Sequence, residues 1–381
     1  MLGKAKRILV PRWMDAENFN PQNSNAQNII SRWSNVNADV TAFYYKNPRL
    51  DVAANSFVHL YKLWRRRFWK ISVWRAYQEK LDAIFYPGAD ISDDLGWRFR
   101  DFTGRTIPII ATLEGLAGNP EREREYSDWA GHQVYCQHLD NKTLTRLDRL
   151  YHRADHVIAI SPFLAEMGSR RYGNKFSIIP LGIDSSIFFT GGVEKSERIT
   201  VIGAGRLYEN KRPELFIELA SRHHDADFVW YGWGDMAADL KNEVQRMGLT
   251  NLVFPGPVSP NELANAMRKA HLFALPSKSE GVPKVTQEAA ACGLPVVLFG
   301  FYEAPSVIDG ENGFVVWDDA EFYDRIGQLI ASNERCKSMG ECGASMAKEF
   351  SWDTVAHGWE QHVQEIVNQA TGSSNSFDFN I

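Results

Sequence analysis

The sequence has no long apolar run. No stretch approaches the roughly 20 apolar residues that a membrane-spanning helix needs. Near the amino terminus, the short run Ile8–Val10 is ended by Pro11, so MLGKAKRILVPRW does not resemble a secretory signal peptide. We therefore expect a cytoplasmic protein.

Cysteine is also scarce. The 381 residues include four cysteines and ten histidines, without a CxxC pair or an HExxH spacing, and no nearby histidine completes a zinc set. This composition predicts reduced, buried thiols and no protein-bound metal.

Charge is divided unevenly along the chain. Residues 1–182 carry 26 Lys+Arg against 19 Asp+Glu, a net +7, whereas residues 183–381 carry 16 against 28, a net −12. Two domains with different partners would explain this asymmetry. A basic first half favours an anionic partner, such as a membrane surface or an acidic glycan.

Short apolar runs rich in β-branched residues alternate with helical patterns throughout. The expected strands are Arg7–Val10, Ala38–Tyr44, Ala83–Tyr86, Ile107–Thr112, His156–Ile160, Phe176–Ile179, Thr200–Ile202, Asp227–Tyr231, Leu252–Phe254, Leu272–Leu275, Pro295–Leu298 and Gly313–Val316. This rhythm is typical of parallel sheets covered by helices, and it occurs twice. It predicts an α/β protein with two Rossmann-like domains.

The pattern breaks at Pro180–Asp184. We therefore expect an amino-terminal domain over residues 1–182, a second domain over 183–350, a helix over 351–370 that packs back across the hinge, and a frayed tail over 371–381.

The stretch SEGVPKVTQEAAACGLPVV contains two carboxylates, Glu280 and Glu288. Glu280 falls in the loop after a predicted strand, and Glu288 lies one turn inside the helix expected over Val285–Cys292, with Gly293 as its stop. A helix start offers free N–H groups to a phosphate, and a carboxylate accepts hydrogen bonds from a diol. Taken alone, the two glutamates favour the plainer interpretation of an exposed loop acid and a solvated helix residue.

A second stretch, VIGAGRLYENKRPELF, places two cations after a strand. Gly203 and Gly205 allow a tight turn, and Arg206 with Lys211 suits a diphosphate. The Gly-Ala-Gly start imitates a dinucleotide fingerprint, but Tyr208 occupies the third glycine position, which argues against nicotinamide binding. Farther on, the loop Gly256–Val258 offers backbone on which a flat base could rest, although a plain turn is an equal alternative.

Together these segments resemble the retaining glycosyltransferases of family 4, which have the GT-B fold. The resemblance rests on the Arg206–Lys211 and Glu280–Glu288 spacings and on five further segments. These are Ala154–Ser161, Pro180–Asp184 with Phe188, Gly293–Val297, Glu311–Val316 and Phe350–Trp352. It covers residues 150–370 well and the first 150 loosely.

The resemblance implies a metal-independent donor site for a UDP-, GDP-, ADP- or dTDP-sugar in a cleft between two facing domains, with no further cofactor required. Arg206 and Lys211 would neutralise the leaving diphosphate and Glu288 would hold the ribose. Glu280 would hold the transferred sugar. The remaining donor-binding residues would be Gly205, Val258, Gly281, Val282, Pro283 and Lys284.

The first half departs from the family pattern. Many members have a glycine-rich loop after the first strand, which PRWMDAENFNPQNSNAQ lacks, and a histidine where ATLEGLAG has Glu114. Glu114 follows a predicted strand, so it could bind a sugar hydroxyl or act as a base. A solvated loop glutamate is the even alternative.

Tyr61–Lys80, YKLWRRRFWKISVWRAYQEK, interleaves cations with aromatic residues. Such a helix can lie peripherally on an anionic inner membrane surface, or simply pack with a basic outer face. Nucleic acid is not expected as a partner, because the second half is acidic.

The sequence thus predicts a glycosyltransferase that moves a sugar to a glycan, glycolipid or lipid-linked acceptor, as in polysaccharide biosynthesis. A nucleotide-sugar epimerase or hydrolase on the same fold and a non-catalytic binding partner remain the alternatives. A phosphorylase would need a pyridoxal lysine and a much longer chain.

Overall fold

A computed structural model describes residues 6–9, 21–33, 36–39, 82–86, 107–173 and 175–370. The chain forms two compact units. Unit 1 comprises Met1–Glu114, Asp140–Ile179 and Val355–Ile381, and unit 2 comprises Gly115–Leu139 and Pro180–Thr354. The basic aromatic stretch Tyr61–Lys80 lies outside the described residues.

Up to residue 179 the described elements are β1 Lys6–Leu9, α1 Pro21–Ser31, β2 Val36–Asp39, β3 Ala83–Tyr86, β4 Ile109–Leu113, β5 Ala117–Gly118, α2 Pro120–Ala130, β6 Gln137–His138, α3 Asn141–Arg153, β7 His156–Ala159, α4 Pro162–Tyr172 and β8 Phe176–Ile178. Beyond it they are β9 Thr200–Ala204, α5 Leu215–Arg222, β10 Asp227–Tyr231, α6 Ala237–Met247, β11 Leu252–Gly256, α7 Pro260–Lys269, β12 Leu272–Leu275, α8 Lys284–Ala291, β13 Val296–Phe299, β14 Gly313–Val316, α9 Asp319–Ile330, α10 Asn333–Met346 and α11 Trp352–Ala370.

Unit 1 contains a parallel sheet with the described order β2-β1-β3-β4-β7-β8. Its central strands are buried on both faces, as in the run from Ala83 to Tyr86, which is why they read as continuous apolar sequence. α3 covers this sheet with Leu144, Leu147 and Leu150, which recur at the helical period. Asp140 caps that helix by accepting a hydrogen bond from the N–H of Thr143 at 3.0 Å.

Unit 2 contains a second parallel sheet, ordered β11-β10-β9-β12-β13-β14. Consecutive strands run outward from β9 on one side and from β12 on the other, which is the doubly wound arrangement. Alternate residues of each strand enter two separate cores. Val201 and Val297 belong to one, and Ile202 and Val296 to the other. Helices therefore cover both faces of this sheet.

The strand order of unit 2 reverses between β9 and β12, which are hydrogen-bonded neighbours. In open parallel sheets the loops that leave such a pair diverge to opposite faces and leave a crevice at their carboxyl ends. The fold therefore places a ligand-binding position at the loops after Ala204 and Leu275.

The α/β class and the two Rossmann-like domains expected from the sequence are confirmed. Four expected strands, Ala83–Tyr86, Asp227–Tyr231, Leu272–Leu275 and Gly313–Val316, have the bounds that the sequence predicts. The expected domain limits and the packing of the last helix across the hinge stay predictions. Among the described helices, none is long and apolar enough to cross a membrane.

Candidate donor site

The loops after β9 and β12 bring together residues that lie about 70 positions apart in the sequence. The N–H of Lys278 donates to the carbonyl of Asn210 at 2.8 Å, which ties the two loops through their backbones. Lys211 and Glu280 form an ion pair between the same loops. Their side chains are only 17% and 12% exposed, so the pair is screened less than a surface salt bridge would be.

Glycine sets the path of the first loop. Gly205 has φ +150°, a conformation that disfavours other residues. Its carbonyl accepts a hydrogen bond from Trp230 Nε1 at 3.1 Å. Gly232, with φ +152°, approaches so closely that a Cβ there would lie 1.8 Å from the same carbonyl oxygen. Two glycines and one buried indole thus fix the turn that precedes Arg206.

Arg206 is exposed, and its guanidinium lies 5.2 Å from the centroid of the Tyr208 ring. The planar guanidinium carries several N–H donors, which suit a diphosphate bound at this loop. Lys211, at the end of a short 3₁₀ turn, supplies a second cation on the same loop. The arrangement combines one exposed and one partly buried positive charge beside the switch between β9 and β12.

The second loop ends at a helix start without a side-chain cap. Pro283 is the N-cap residue of α8 and its side chain makes no cap hydrogen bond, although its carbonyl accepts one from the Thr286 N–H at 2.9 Å. Gly281, Val282, Pro283 and Lys284 form the approach to that turn. Because uncapped N–H groups and the helix dipole attract negative charge, this end of α8 suits an anion or a sugar hydroxyl.

Glu288 lies in α8 and is partly buried. Burial raises the pKa of its carboxyl group, and Lys284 opposes that rise. A desolvated carboxylate with spare acceptor sites is suited to a vicinal diol. As the sequence predicts, α8 ends at a left-handed glycine, Gly293, with φ +77°.

Val258 follows β11 and is 36% exposed. The adjacent Ser259 caps α7 through a capping box with Glu262, so the loop has a fixed backbone. The binding of a nucleotide base on this exposed turn stays a prediction, with a plain turn as the equal alternative.

Glu114 belongs to unit 1. It follows β4, and Asn25 Nδ2 donates to its carboxylate at 3.4 Å, with Thr112 Oγ1 at 3.5 Å. The carboxylate is therefore held by neighbouring polar groups, not only by solvent. Whether it takes part in catalysis stays a prediction.

Sequence reasoning missed two buried hydroxyls behind Glu280. Ser277 and Tyr302 are buried, and an interaction between their hydroxyls favours the ionised form of Tyr302. Burial raises the pKa of Tyr302 well above its usual value, and the charge of Glu280 adds to the rise. Ser277 lies close to Glu280 in the sequence, which is a weak signal for its place in the site. No motif spacing relates Tyr302 to Glu280.

A second missed feature is the segment Gly115–Leu139, which comprises β5, α2 and β6. Ser279 Oγ donates to the carbonyl of Tyr135 at 3.1 Å. A Cβ on Gly115 would lie 3.5 Å from the Cα of Gly281, and the rings of Tyr135 and Phe301 are 5.5 Å apart. The segment therefore packs beside the loop that carries Glu280.

Family models match both halves of the chain. One described as glycosyl transferases group 1 matches residues 198–332, and one described as glycosyltransferase family 4 matches residues 37–187. A D-inositol 3-phosphate glycosyltransferase of Corynebacterium jeikeium is 30% identical over 305 residues, which cover 72% of this chain and 70% of that protein. The chain belongs to glycosyltransferase family 4.

Two further likenesses agree with this assignment. An uncharacterized glycosyltransferase of Methanocaldococcus jannaschii is 27% identical over 218 residues, covering 56% of this chain and 60% of that protein. The crystal structure of Anabaena HepE in complex with UDP and glucose matches with a TM-score of 0.67 at 16% identity, covering 94% of this chain and 99% of that one. The GT-B fold expected from the sequence is therefore confirmed.

Proposed function

We propose that this glycosyltransferase moves a sugar from a nucleotide-sugar donor to a glycan, glycolipid or lipid-linked acceptor with retention of anomeric configuration. The observation that carries the proposal is the Lys211–Glu280 ion pair, which joins a cation and a sugar-binding carboxylate at the switch between β9 and β12. The uncapped start of α8 lies on the same loop.

Charge develops on the diphosphate as the bond between the anomeric carbon and the phosphate oxygen breaks. Arg206 and Lys211 would stabilise that negative charge. The positive end of the α8 dipole, with its N–H groups, would stabilise it further. Since fixed cations perform this role, no metal is required at the diphosphate.

Glu280 would accept hydrogen bonds from the transferred sugar, and its ion pair with Lys211 orients the carboxylate. Glu288 would accept from the ribose hydroxyls. The acceptor oxygen attacks the anomeric carbon from the face that the diphosphate leaves. Its proton passes to the departing phosphate oxygen. Glu114 would bind a hydroxyl of the acceptor or act as a base towards it.

The likeness to HepE, whose structure holds UDP and glucose, supports a uridine donor as the first to test. The Corynebacterium relative bears the name of an enzyme acting on a phosphorylated polyol. An acceptor with a phosphate group is therefore a sensible first probe. The membrane association expected of Tyr61–Lys80 stays a prediction.

The decisive experiment measures thermal unfolding with UDP, GDP, ADP and dTDP. A nucleotide at 100 times its dissociation constant should add about 2.7 kcal/mol of stability. The double variant Arg206→Ala with Lys211→Ala should lose the response, whereas Arg246→Ala, on the exposed face of α6, should keep it. Absence of a response to every nucleotide in the wild type would overturn the donor assignment.

Turnover then tests the reaction class. Release of free nucleoside diphosphate only when an acceptor is present supports transfer over hydrolysis or epimerisation. The anomeric configuration of the product, read by NMR coupling constants, tests retention.

A further inference from the structure

A cluster of metal-ligating side chains lies outside the donor site, in the segment Gly115–Leu139. Here β5 and β6 run parallel, with Ala117 opposite Gln137 and Gly118 opposite His138, and α2 crosses between them. Two strands of two residues each provide little cohesion of their own. Side-chain contacts of α2 add to this pairing, as where Ser127 Oγ accepts a hydrogen bond from the Val134 N–H at 2.9 Å.

Three further side chains meet where α2 approaches β6. Glu123 comes from the first turn of α2, and Cys136 and His138 stand two residues apart at β6, so that they project to the same side. Glu123 Oε2 lies 3.0 Å from His138 Nε2 and accepts a hydrogen bond from the Cys136 N–H, also at 3.0 Å. The carboxylate oxygen, thiol sulfur and imidazole nitrogen all lie within 4.8 Å of one another.

The position of the sulfur depends on a glycine. A Cβ on Gly118 would lie 2.9 Å from Cys136 Sγ and 2.9 Å from the Cβ of Arg122. Only a residue without a side chain leaves room for the thiol between β5 and α2. The fold therefore brings the sulfur towards the carboxylate and the imidazole.

One carboxylate, one thiolate and one imidazole form a donor set that suits a borderline-soft divalent ion. Zn²⁺ is bound by such ligands in tetrahedral sites, and three protein ligands leave one position for water. Cys136 is 8% exposed, and the side chains of Glu123 and His138 are 19% and 54% exposed. The thiol is thus at the inner end of the cluster and the imidazole at the solvent end, where an ion can enter.

We propose that Glu123, Cys136 and His138 bind a zinc ion. The ion would replace the hydrogen bond between carboxylate and imidazole with two metal bonds and would recruit the thiol as a thiolate. Loss of the thiol proton to solvent accompanies binding, so affinity should rise with pH. The sequence-based expectation of no protein-bound metal is revised by this proposal.

The site would brace the donor loop. Tyr135 immediately precedes the Cys136 ligand, and its carbonyl accepts the hydrogen bond from Ser279. A metal that fixes β6 to α2 would hold that carbonyl in place beside Glu280. This consequence rests on the proposed function, whereas metal binding itself does not, so the two can fail separately.

The first measurement is calorimetric titration of chelator-treated protein with Zn²⁺. We expect about one equivalent to bind, and Cys136→Ser, His138→Gln and Glu123→Gln each to weaken binding by about tenfold or more. Cys342→Ser removes a thiol outside the cluster and should bind like the wild type. Equal binding by the wild type and all three cluster variants would overturn the proposal.

Cobalt(II) supplies a second measurement that does not depend on folding stability. The wild type with Co²⁺ should show a thiolate-to-cobalt charge-transfer band and the strong visible bands of tetrahedral coordination. Cys136→Ser should lose the charge-transfer band, and Cys342→Ser should keep it. A wild-type spectrum of octahedral, oxygen-ligated cobalt would also overturn the proposal.

The donor loop is tested last, with UDP affinity measured before and after chelation. We expect chelation to weaken UDP binding in the wild type and to leave it unchanged in Cys136→Ser. Zinc binding with no change in UDP affinity would reject the bracing role while keeping the metal site.

Discussion

Lys211 Nζ and Glu280 Oε1 form an ion pair that joins the loop after β9 to the loop after β12. The pair links the cation proposed for the diphosphate with the carboxylate proposed for the sugar. The contacts proposed for the diphosphate and for the sugar therefore belong to one electrostatic unit, and removal of either partner should affect the other.

A double-mutant cycle measures this coupling. Lys211→Met and Glu280→Gln should each lower the free energy of unfolding, because each leaves a partly buried charge without its partner. The double variant should recover about 1–3 kcal/mol relative to the sum of the single changes. Urea unfolding of the four proteins provides the numbers.

The exposed pair Arg222–Glu218 is the matched control, with side chains 49% and 44% exposed. Its coupling should stay below about 0.5 kcal/mol. A Lys211–Glu280 coupling as small as that of the control pair would show that the ion pair contributes nothing to the fold.

The variant Glu288→Gln tests the effect of this carboxylate on stability separately from its effect on donor binding. Burial raises its pKa, so ionisation destabilises the fold as pH rises through that pKa. Glu288→Gln should therefore leave the free energy of unfolding at neutral pH unchanged or higher. The same change should weaken UDP binding by about tenfold, since one acceptor of a charged hydrogen bond is lost.

The pH dependence of UDP affinity tests whether Glu288 must be ionised to bind the donor. Wild-type UDP affinity should fall on acidification at a higher pH than an ordinary glutamate would give, because the carboxylate must be ionised to accept from both hydroxyls. The affinity of Glu288→Gln should lack that step. An identical pH profile in both proteins would remove Glu288 from the donor site.

Strands were the most predictable part of the fold. Leu272–Leu275 and Gly313–Val316 are continuous apolar runs bounded by polar or turn residues, and such runs identify buried parallel strands. The residue at which α5 starts was less predictable from the sequence. This helix begins at Leu215, although proline favours the first helical position and Pro213 lies two residues earlier, because Arg212 adopts a left-handed φ of +51° and the next residues form a turn.

The positions of candidate site residues could be predicted only where a sequence motif contains those residues. Arg206, Lys211 and Glu280 fall on the loops expected of them because each follows a recognisable strand end, and Glu288 falls on the helix that the next loop leads into. The hydrogen bond from Ser279 to Tyr135 joins residues 144 positions apart, and the Glu123–Cys136–His138 cluster joins a helix to a strand. No local periodicity encodes contacts of that kind.

Gly232 should not tolerate a side chain. Gly232→Ala would place a Cβ against the Gly205 carbonyl oxygen at a φ that favours glycine, so we expect a loss of about 3 kcal/mol or more. The displaced carbonyl should also abolish the thermal response to UDP. Gly358→Ala, in a helix with no atom within 4 Å of the new Cβ, should instead stabilise by about 0.5–1 kcal/mol. A mild effect of Gly232→Ala would mean that the Gly205 turn can move freely.

A histidine pair in unit 1 should make stability depend on pH. His156 Nε2 and His362 Nε2 lie 2.9 Å and 2.6 Å from the single hydroxyl of Ser177, with ring centroids 5.6 Å apart. Burial lowers the pKa of His156 to about 4, with the positive charges of His362 and Lys175 acting in the same direction. Burial also lowers the pKa of His362, although Glu365 opposes that change.

Because the folded state keeps these rings neutral while the unfolded chain protonates them near pH 6.5, the unfolded state binds more protons between those pKa values. Stability should therefore be fully present above about pH 6.5 and fall as pH drops towards 4, by at most about 3 kcal/mol for His156. His156→Gln should flatten this slope in urea unfolding measured from pH 7 to 5, whereas His224→Gln, an exposed histidine, should not. An unchanged slope in His156→Gln would show that His156 takes up its proton over the same pH range in the folded and unfolded states, and would contradict the proposed role of burial.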